Sequence, residues 1–178
     1  MIDMNKQHGT HPVKDRIVSA VRSSKKPVEA VAEAVASTIQ GAVTGAGRLA
    51  ESTFVSVTDI IRGAVDGAVE AGADLAEVAN GVSIGILRGT RETGGAAQKA
   101  LAHAARAIIY HTAKIGGDLT AAARGIVQGA IQNAGALGLD AATAATAAAK
   151  SVIDAAEDLG SAAAQEVRHA IRGLRDRN

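Results

Sequence analysis

The sequence predicts an all-α protein, an array of about eight short antiparallel helices packed through glycine and alanine, in the form of an α-solenoid or a bundle. Three observations predict it. A five-residue pattern recurs at Ile17 (IVSAV), Ile39 (IQGAV), Ile61 (IRGAV), Leu87, Ile109, Val127 (VQGAI), Ala149 and Ile171, with spacings of 22, 22, 26, 22, 18, 22 and 22 residues. The two exceptions differ from 22 by about one helical turn, which keeps the same helix face in register. Glycines, several followed by Asp or Ser, punctuate the chain about half a unit from each pattern. The third observation is the kind of apolar residue: 47% of the chain is hydrophobic, but 41 residues are alanine, with one Phe, one Tyr and no Trp. Side chains that small fill a core without voids only where backbones approach closely.

Within the unit, positions one and five are mostly branched and apolar, as Ile39 with Val43 and Ile61 with Val65. Positions two and six are mostly polar: Arg62 with Asp66, Arg88 with Glu92, Lys150 with Asp154, and Arg172 with Asp176. That is a helical period, and the i,i+4 charge pairs mark a wet face. Gly67, next to Asp66, is expected on that face. The third position is glycine or serine in every copy except the one holding His111. Gly41, Gly63, Gly89, Gly129 and Gly173 are therefore read as helix-packing residues. Glycine inside a helix costs ~1 kcal/mol against alanine, which a close crossing of a neighbouring helix would explain.

In order, helices are expected at 12–24, 27–44, 51–71, 74–93, 96–115, 118–134, 140–158 and 161–175. Pro27 opens the second, where its missing N–H is harmless. Asp74 with Glu77 reads as a capping box for the fourth. Gly116–Gly117 before Asp118, Gly138 before Asp140, and Gly160 before Ser161 stop one helix and cap the next. Residues 1–11 are expected to be a mobile N-terminus and 12–175 a single helical repeat domain. An 11-residue half-unit would also suit one continuous helix. Consecutive glycines and repeated caps favour the folded array.

Composition excludes several classes of function. There is no cysteine, so disulfide and thiolate chemistry are absent. No secretory signal is read at the start, and the longest uncharged stretch, 125–139, is too short and polar for a bilayer-spanning helix. A cytoplasmic protein is expected. Stacked-aromatic readout of nucleic acid fails with one Tyr and one Phe, and sequence-specific nucleic-acid binding is not expected. Net charge is +1, but residues 1–26 hold six Lys/Arg against two acids, and the tail from Glu166 has four Arg against two. These basic ends are candidates for contact with a protein partner or an anionic surface.

No catalytic constellation, phosphate loop or cofactor motif is present, and no cofactor is expected. The Glu-x-x-His spacing of a di-iron bundle occurs once, at Glu166 and His169, where two are needed. His8 and His11 are read as a pair in the mobile N-terminus. The one weak candidate site is the copy that breaks the pattern: His111 replaces the small residue, Tyr110 is the sole tyrosine, and His103 with Lys114 can share a side of that helix pair.

The expected function is that of a non-enzymatic structural or interaction scaffold, self-associating through the apolar residues Ile171 and Leu174 that persist in the last unit. The alternative is an amphipathic coat on a lipid droplet, polymer granule or membrane surface. Over most of residues 17–170, as in Gly63-Ala64-Val65-Asp66-Gly67-Ala68-Val69, the chain resembles the 11- and 22-residue repeats of apolipoproteins, perilipins and synucleins in period and small-residue content. That resemblance implies helices lying on lipid. The regular glycine–aspartate turns, the acidic residues 66, 70, 74 and 77, and the shortage of bulky anchors depart from it.

Overall fold

The computed structural model describes residues 11–46, 51–92 and 97–175, and within them the backbone runs as eight α-helices. They are α1 (His11–Ser23), α2 (Pro27–Ala46), α3 (Glu51–Glu70), α4 (Leu75–Glu92), α5 (Ala97–Lys114), α6 (Leu119–Gln132), α7 (Ala141–Leu159) and α8 (Ser161–Arg175). The described residues contain no strand and no helix long and apolar enough to cross a membrane. Residues 1–10, which hold His8 and most of the expected mobile N-terminus, lie outside them.

The turns follow from local chemistry. Gly72 and Gly116 adopt φ of +76° and +69°, a left-handed conformation that glycine enters without a Cβ penalty. Beyond each, a reversed bond closes the helix end: the Ala73 N–H donates to the Ala68 oxygen and the Gly117 N–H to the Thr112 oxygen, both at 2.9 Å. The next helix starts on an aspartate. Asp74 Oδ1 accepts from the Ala76 and Glu77 N–H groups at 2.9 and 3.2 Å. Asp118 Oδ1 accepts from Thr120 and Ala121 at 2.8 and 3.0 Å, and Asp140 Oδ1 from Thr143 at 2.9 Å. Ser161 is not a cap; it is the first residue of α8. The sixth helix also ends early, at Gln132. Gly135 and Gly138 weaken the α-helix there, and a short 3₁₀ turn, Ala134–Leu137, tucks in Ala134 and Leu137 instead.

Among the described residues, each α-helix packs on the helices one and two places away in the chain and on none further. This sorts them into two layers, α1-α3-α5-α7 and α2-α4-α6-α8. One continuous core lies among them, with Ile17, Ile39, Ile61, Leu87, Ile109 and Ile126 fully or almost fully buried.

Helix α4 is the central member. From Val78 to Thr90 every residue but Arg88 is buried. It runs parallel to α2, and three glycines four residues apart receive the α2 backbone. A Cβ at Gly81 would stand 2.7 Å from the Val28 oxygen, one at Gly85 2.5 Å from the Ala32 oxygen, and one at Gly89 3.0 Å from Ile39 Cβ. On the other side α4 supplies the ridge and α6 the glycines. A Cβ at Gly125 would collide with the Ala76 oxygen and stand 2.8 Å from Ala79 Cβ, and one at Gly129 would stand 2.8 Å from Ser83 Cβ. Where glycine carries hydrogen instead, carbonyl oxygens approach its Cα–H, a weak favourable contact that recurs at helix crossings.

The expected packing glycines are thus unevenly placed. Gly89 and Gly129 lie against a neighbouring helix and Gly63 is buried, but Gly41 is exposed, and neither Gly41 nor Gly173 has any other group within 4 Å of a built Cβ. Gly41 sits on α2, where α4 packs against Val28, Val31, Ala32, Val35, Ala36 and Ile39 instead. Gly173 sits on α8, which turns Ala164, Val167 and Ala170 inward instead. Gly67 reverses its expectation: it is buried, and a Cβ there would stand 2.8 Å from the Lys14 oxygen of α1. The closest contacts, at Gly81, Gly85 and Gly125, fall outside the third position altogether. Two buried oxygens, Asn80 Oδ1 and Thr112 Oγ1, find no hydrogen-bond partner among the described residues.

Two outcomes are expected. Gly85→Ala gains helix propensity but overpacks a backbone contact, so it should lose about 1–2 kcal/mol net. Gly41→Ala, in open space, should instead gain about 0.8–1 kcal/mol. Opposite shifts of the melting temperature check this, and equal shifts would refute the assigned crossings. The second outcome concerns acid. Its bonds to the Thr120 hydroxyl, and then to the Ala121 N–H, hold the Asp118 carboxyl below its ordinary value. The folded pKa is therefore lower than the unfolded one, so the contribution is complete above about pH 4 and is lost as pH falls through the folded value. Asp118→Ala should lower stability at neutral pH by about 1 kcal/mol. Asp118→Ser should keep most of that and show a shallower acid-side loss in urea midpoints.

Candidate functional site

Helices α3 and α5 lie parallel, and their facing residues form three rungs at spacing four. At one end Thr58 Oγ1 and His103 Nε2 are 2.9 Å apart; at the other, His111 Nε2 and Asp66 Oδ1 are 2.6 Å apart. Both pairs are separated by 45 residues in sequence, so the middle rung sets Arg62 opposite Ala107. A long cation facing a methyl group leaves a dent. There the structure has an open cleft of about 490 Å³, lined by Thr58 and Arg62 of α3, Ala107, Tyr110, His111, Ala113 and Lys114 of α5, and Leu159 at the end of α7.

The sequence-named residues meet at this seam in different roles. His111, with its side chain only 12% exposed, forms one wall and is tied to Asp66. Tyr110 is 43% exposed and lines the cleft. His103 stands behind it, bonded to Thr58, which reaches the surface of the cleft. Sequence reasoning missed the α3 half. Asp66 was paired with Arg62 on its own helix; instead it turns to His111, and Arg62 approaches Asp59 at 3.5 Å. Arg88 likewise reaches Glu29 of α2 at 2.7 Å. Lys150 with Asp154, at 2.7 Å, is the expected i,i+4 pair that does form. The signal available was the shared spacing of 58, 62, 66 with 103, 107, 111, but it is readable only once α3 and α5 are known to be neighbours.

Asp66 with His111 is a pair, and among the described residues no three His, Cys, Asp or Glu side chains are grouped to hold a metal ion. The Thr58 hydroxyl is engaged with His103, and Tyr110 and Lys114 are the other residues beside His111 in the cleft with a hydroxyl or amine.

The other layer carries a second, more polar dish. Arg88, Arg91, Gln132, Asn133, Gly135 and Ala136 line a cleft of about 550 Å³. It adjoins a second, of about 460 Å³, where Lys25 and Lys26 meet Glu29 and Glu77. Charges there are partly spent: the Arg88 guanidinium holds the Glu29 carboxyl below its ordinary value. The basic ends are also partly engaged. Lys14 pairs with Glu70 at 2.5 Å, and Arg168 pairs with Glu157. Arg172 is exposed, and Arg177 lies outside the described residues. Glu166 and His169 both face solvent on α8. No protein-family model and no curated protein matches the chain.

Proposed function

We propose that the chain is a non-enzymatic scaffold, an α-solenoid of stacked helix pairs that associates with a second copy of itself. The observation that carries this reading is the contact pattern: helices touch neighbours one and two places away and none further. A closed bundle brings first and last helices together, whereas a stack of repeats leaves both ends open. The same reading takes the 22-residue unit as the repeat, with glycine and alanine as its packing residues. A cytoplasmic location belongs to the proposal.

The open end differs from the one expected. Ile171 and Leu174 pack against the core, and α8 turns Gln165, Glu166, Arg168, His169 and Arg172 to solvent, a polar outer face of the kind that closes a stack. At the other end, Glu29, Glu33, Ser37 and Gly41 of α2 are exposed, with Glu29 paired to Arg88. In the alignment of units Gly41 corresponds to Gly89 and Gly129, which receive a neighbouring helix in α4 and α6. The α2 face thus has the form of a crossing without its partner.

The coat alternative gains no specific support. Among the described residues the exposed large hydrophobics are Val69, Tyr110 and Ile115, scattered rather than striped. A lipid-lying helix requires an apolar face free to insert.

Light scattering tests the proposal. The parent should show a dimer mass at high concentration, and Gly41→Lys should show the mass of one chain with an unchanged or raised melting temperature. A single-chain mass for the parent at every concentration would remove self-association. Helix content should not change on adding anionic vesicles; a clear rise would favour the coat.

A further inference from the structure

We propose that the α3–α5 cleft binds a small amphipathic monocarboxylate, its charged end between Arg62 and Lys114 and its apolar body on Ala107, Ala113 and Leu159 beside the Tyr110 ring. The volume of about 490 Å³ falls within the range of small-molecule sites. Its lining combines two cations with an alanine and leucine floor and includes no acidic residue. In the dish of the other layer, by contrast, Glu29 and Glu77 stand among the cations.

The two cations are available to a ligand. Arg62 is about half exposed, and its contact with Asp59 is long, at 3.5 Å, the kind of surface pair that contributes little. Lys114 enters no ion pair among the described residues. Of the two carboxylates next to lining residues, Asp66 is turned to His111 and Asp59 makes only the long contact to Arg62.

Charge decides the class of anion. Lys114 lies in the last turn of α5 and Leu159 is the last residue of α7, so two helix C-termini end at the cleft. Each contributes roughly half a negative charge. Counted over the lining alone, two cations against that leave about one positive charge, and the long contact of Arg62 with Asp59 lowers it further, which suits a monoanion and disfavours a phosphate dianion. No helix N-terminus or run of backbone N–H groups lines the cleft to hold a phosphate. An apolar floor adds affinity only for a ligand with a hydrocarbon or aromatic body.

The sequence supplies its own probe. Tyr110 is the only tyrosine and there is no tryptophan, so intrinsic tyrosine emission reports on this cleft alone. Octanoate added to the full chain should change that emission saturably, while octanol and inorganic phosphate should not. Arg62→Gln and Lys114→Gln should each weaken octanoate about two- to fivefold, as expected for partly exposed charge pairs. Ala107→Leu, which fills the dent from a half-exposed position, should abolish binding with helical circular dichroism retained. Lys150→Gln, on an exposed part of α7, should bind as the parent does. The proposal is overturned if emission is unmoved by octanoate up to about 10 mM, well above the ~1 mM that a weak specific site needs. It is equally overturned if octanol binds as well as octanoate, if phosphate displaces octanoate, or if a folded Ala107→Leu keeps parental affinity. None of these outcomes depends on whether the chain self-associates.

Discussion

The structure depends on one close contact, the passage of α4 between α2 and α6. Gly81, Gly85 and Gly89 let the α2 carbonyls approach one flank, and Gly125 and Gly129 accept the other. Backbones this close leave no space for large side chains, so Ala76, Ala79, Asn80 and Ser83 fill the same interface. Glycine helices are intrinsically weak, and each glycine in α4 costs about 1 kcal/mol of propensity. Tertiary packing therefore stabilises the helix. With Val78 to Thr90 buried apart from Arg88, α4 forms the spine on which the other helices are placed.

The opposite layer is joined differently. Gly67 still admits α1 to α3, but between α3 and α5 the bridge is made by side chains, Thr58 to His103 and Asp66 to His111. Side-chain bridges hold helices apart where glycines draw them together, and a seam of that kind has room for a cleft. The copy that breaks the repeat is also where this happens: His111 occupies a position that is glycine or serine elsewhere, and it reaches across where a glycine would have let the neighbour in. The unusual residues and the open groove thus share one physical cause.

Polar chemistry is confined to turns, seams and ends. The aspartates at 74, 118 and 140 satisfy the first N–H groups of their helices, and the left-handed glycines at 72 and 116 close the preceding ones. On the outer helices of the even-numbered layer, α8 exposes Gln165, Glu166, Arg168, His169 and Arg172, and α2 exposes Glu29, Glu33, Ser37 and Gly41.

Helix number and most helix ends were legible in the sequence, because they depend on local chemistry: Pro27, the glycine–aspartate turns and a period close to a whole number of helical turns. Gly63, Gly89 and Gly129 were legible as packing candidates for the same reason. What the tertiary structure alone decided is which helix faces which. Only the juxtaposition of α2 with α4 makes Gly81 and Gly85 contact points while leaving Gly41 open, and only the approach of α1 buries Gly67. The same holds for charge. Asp66 lies four residues from Arg62 on its own helix, yet it pairs with a histidine 45 residues away, because a half-buried partner across a seam offers a shorter, better shielded bond than a mobile arginine in water. Local sequence sets the period of a helix, but the partner of each face depends on contacts between residues far apart in the chain.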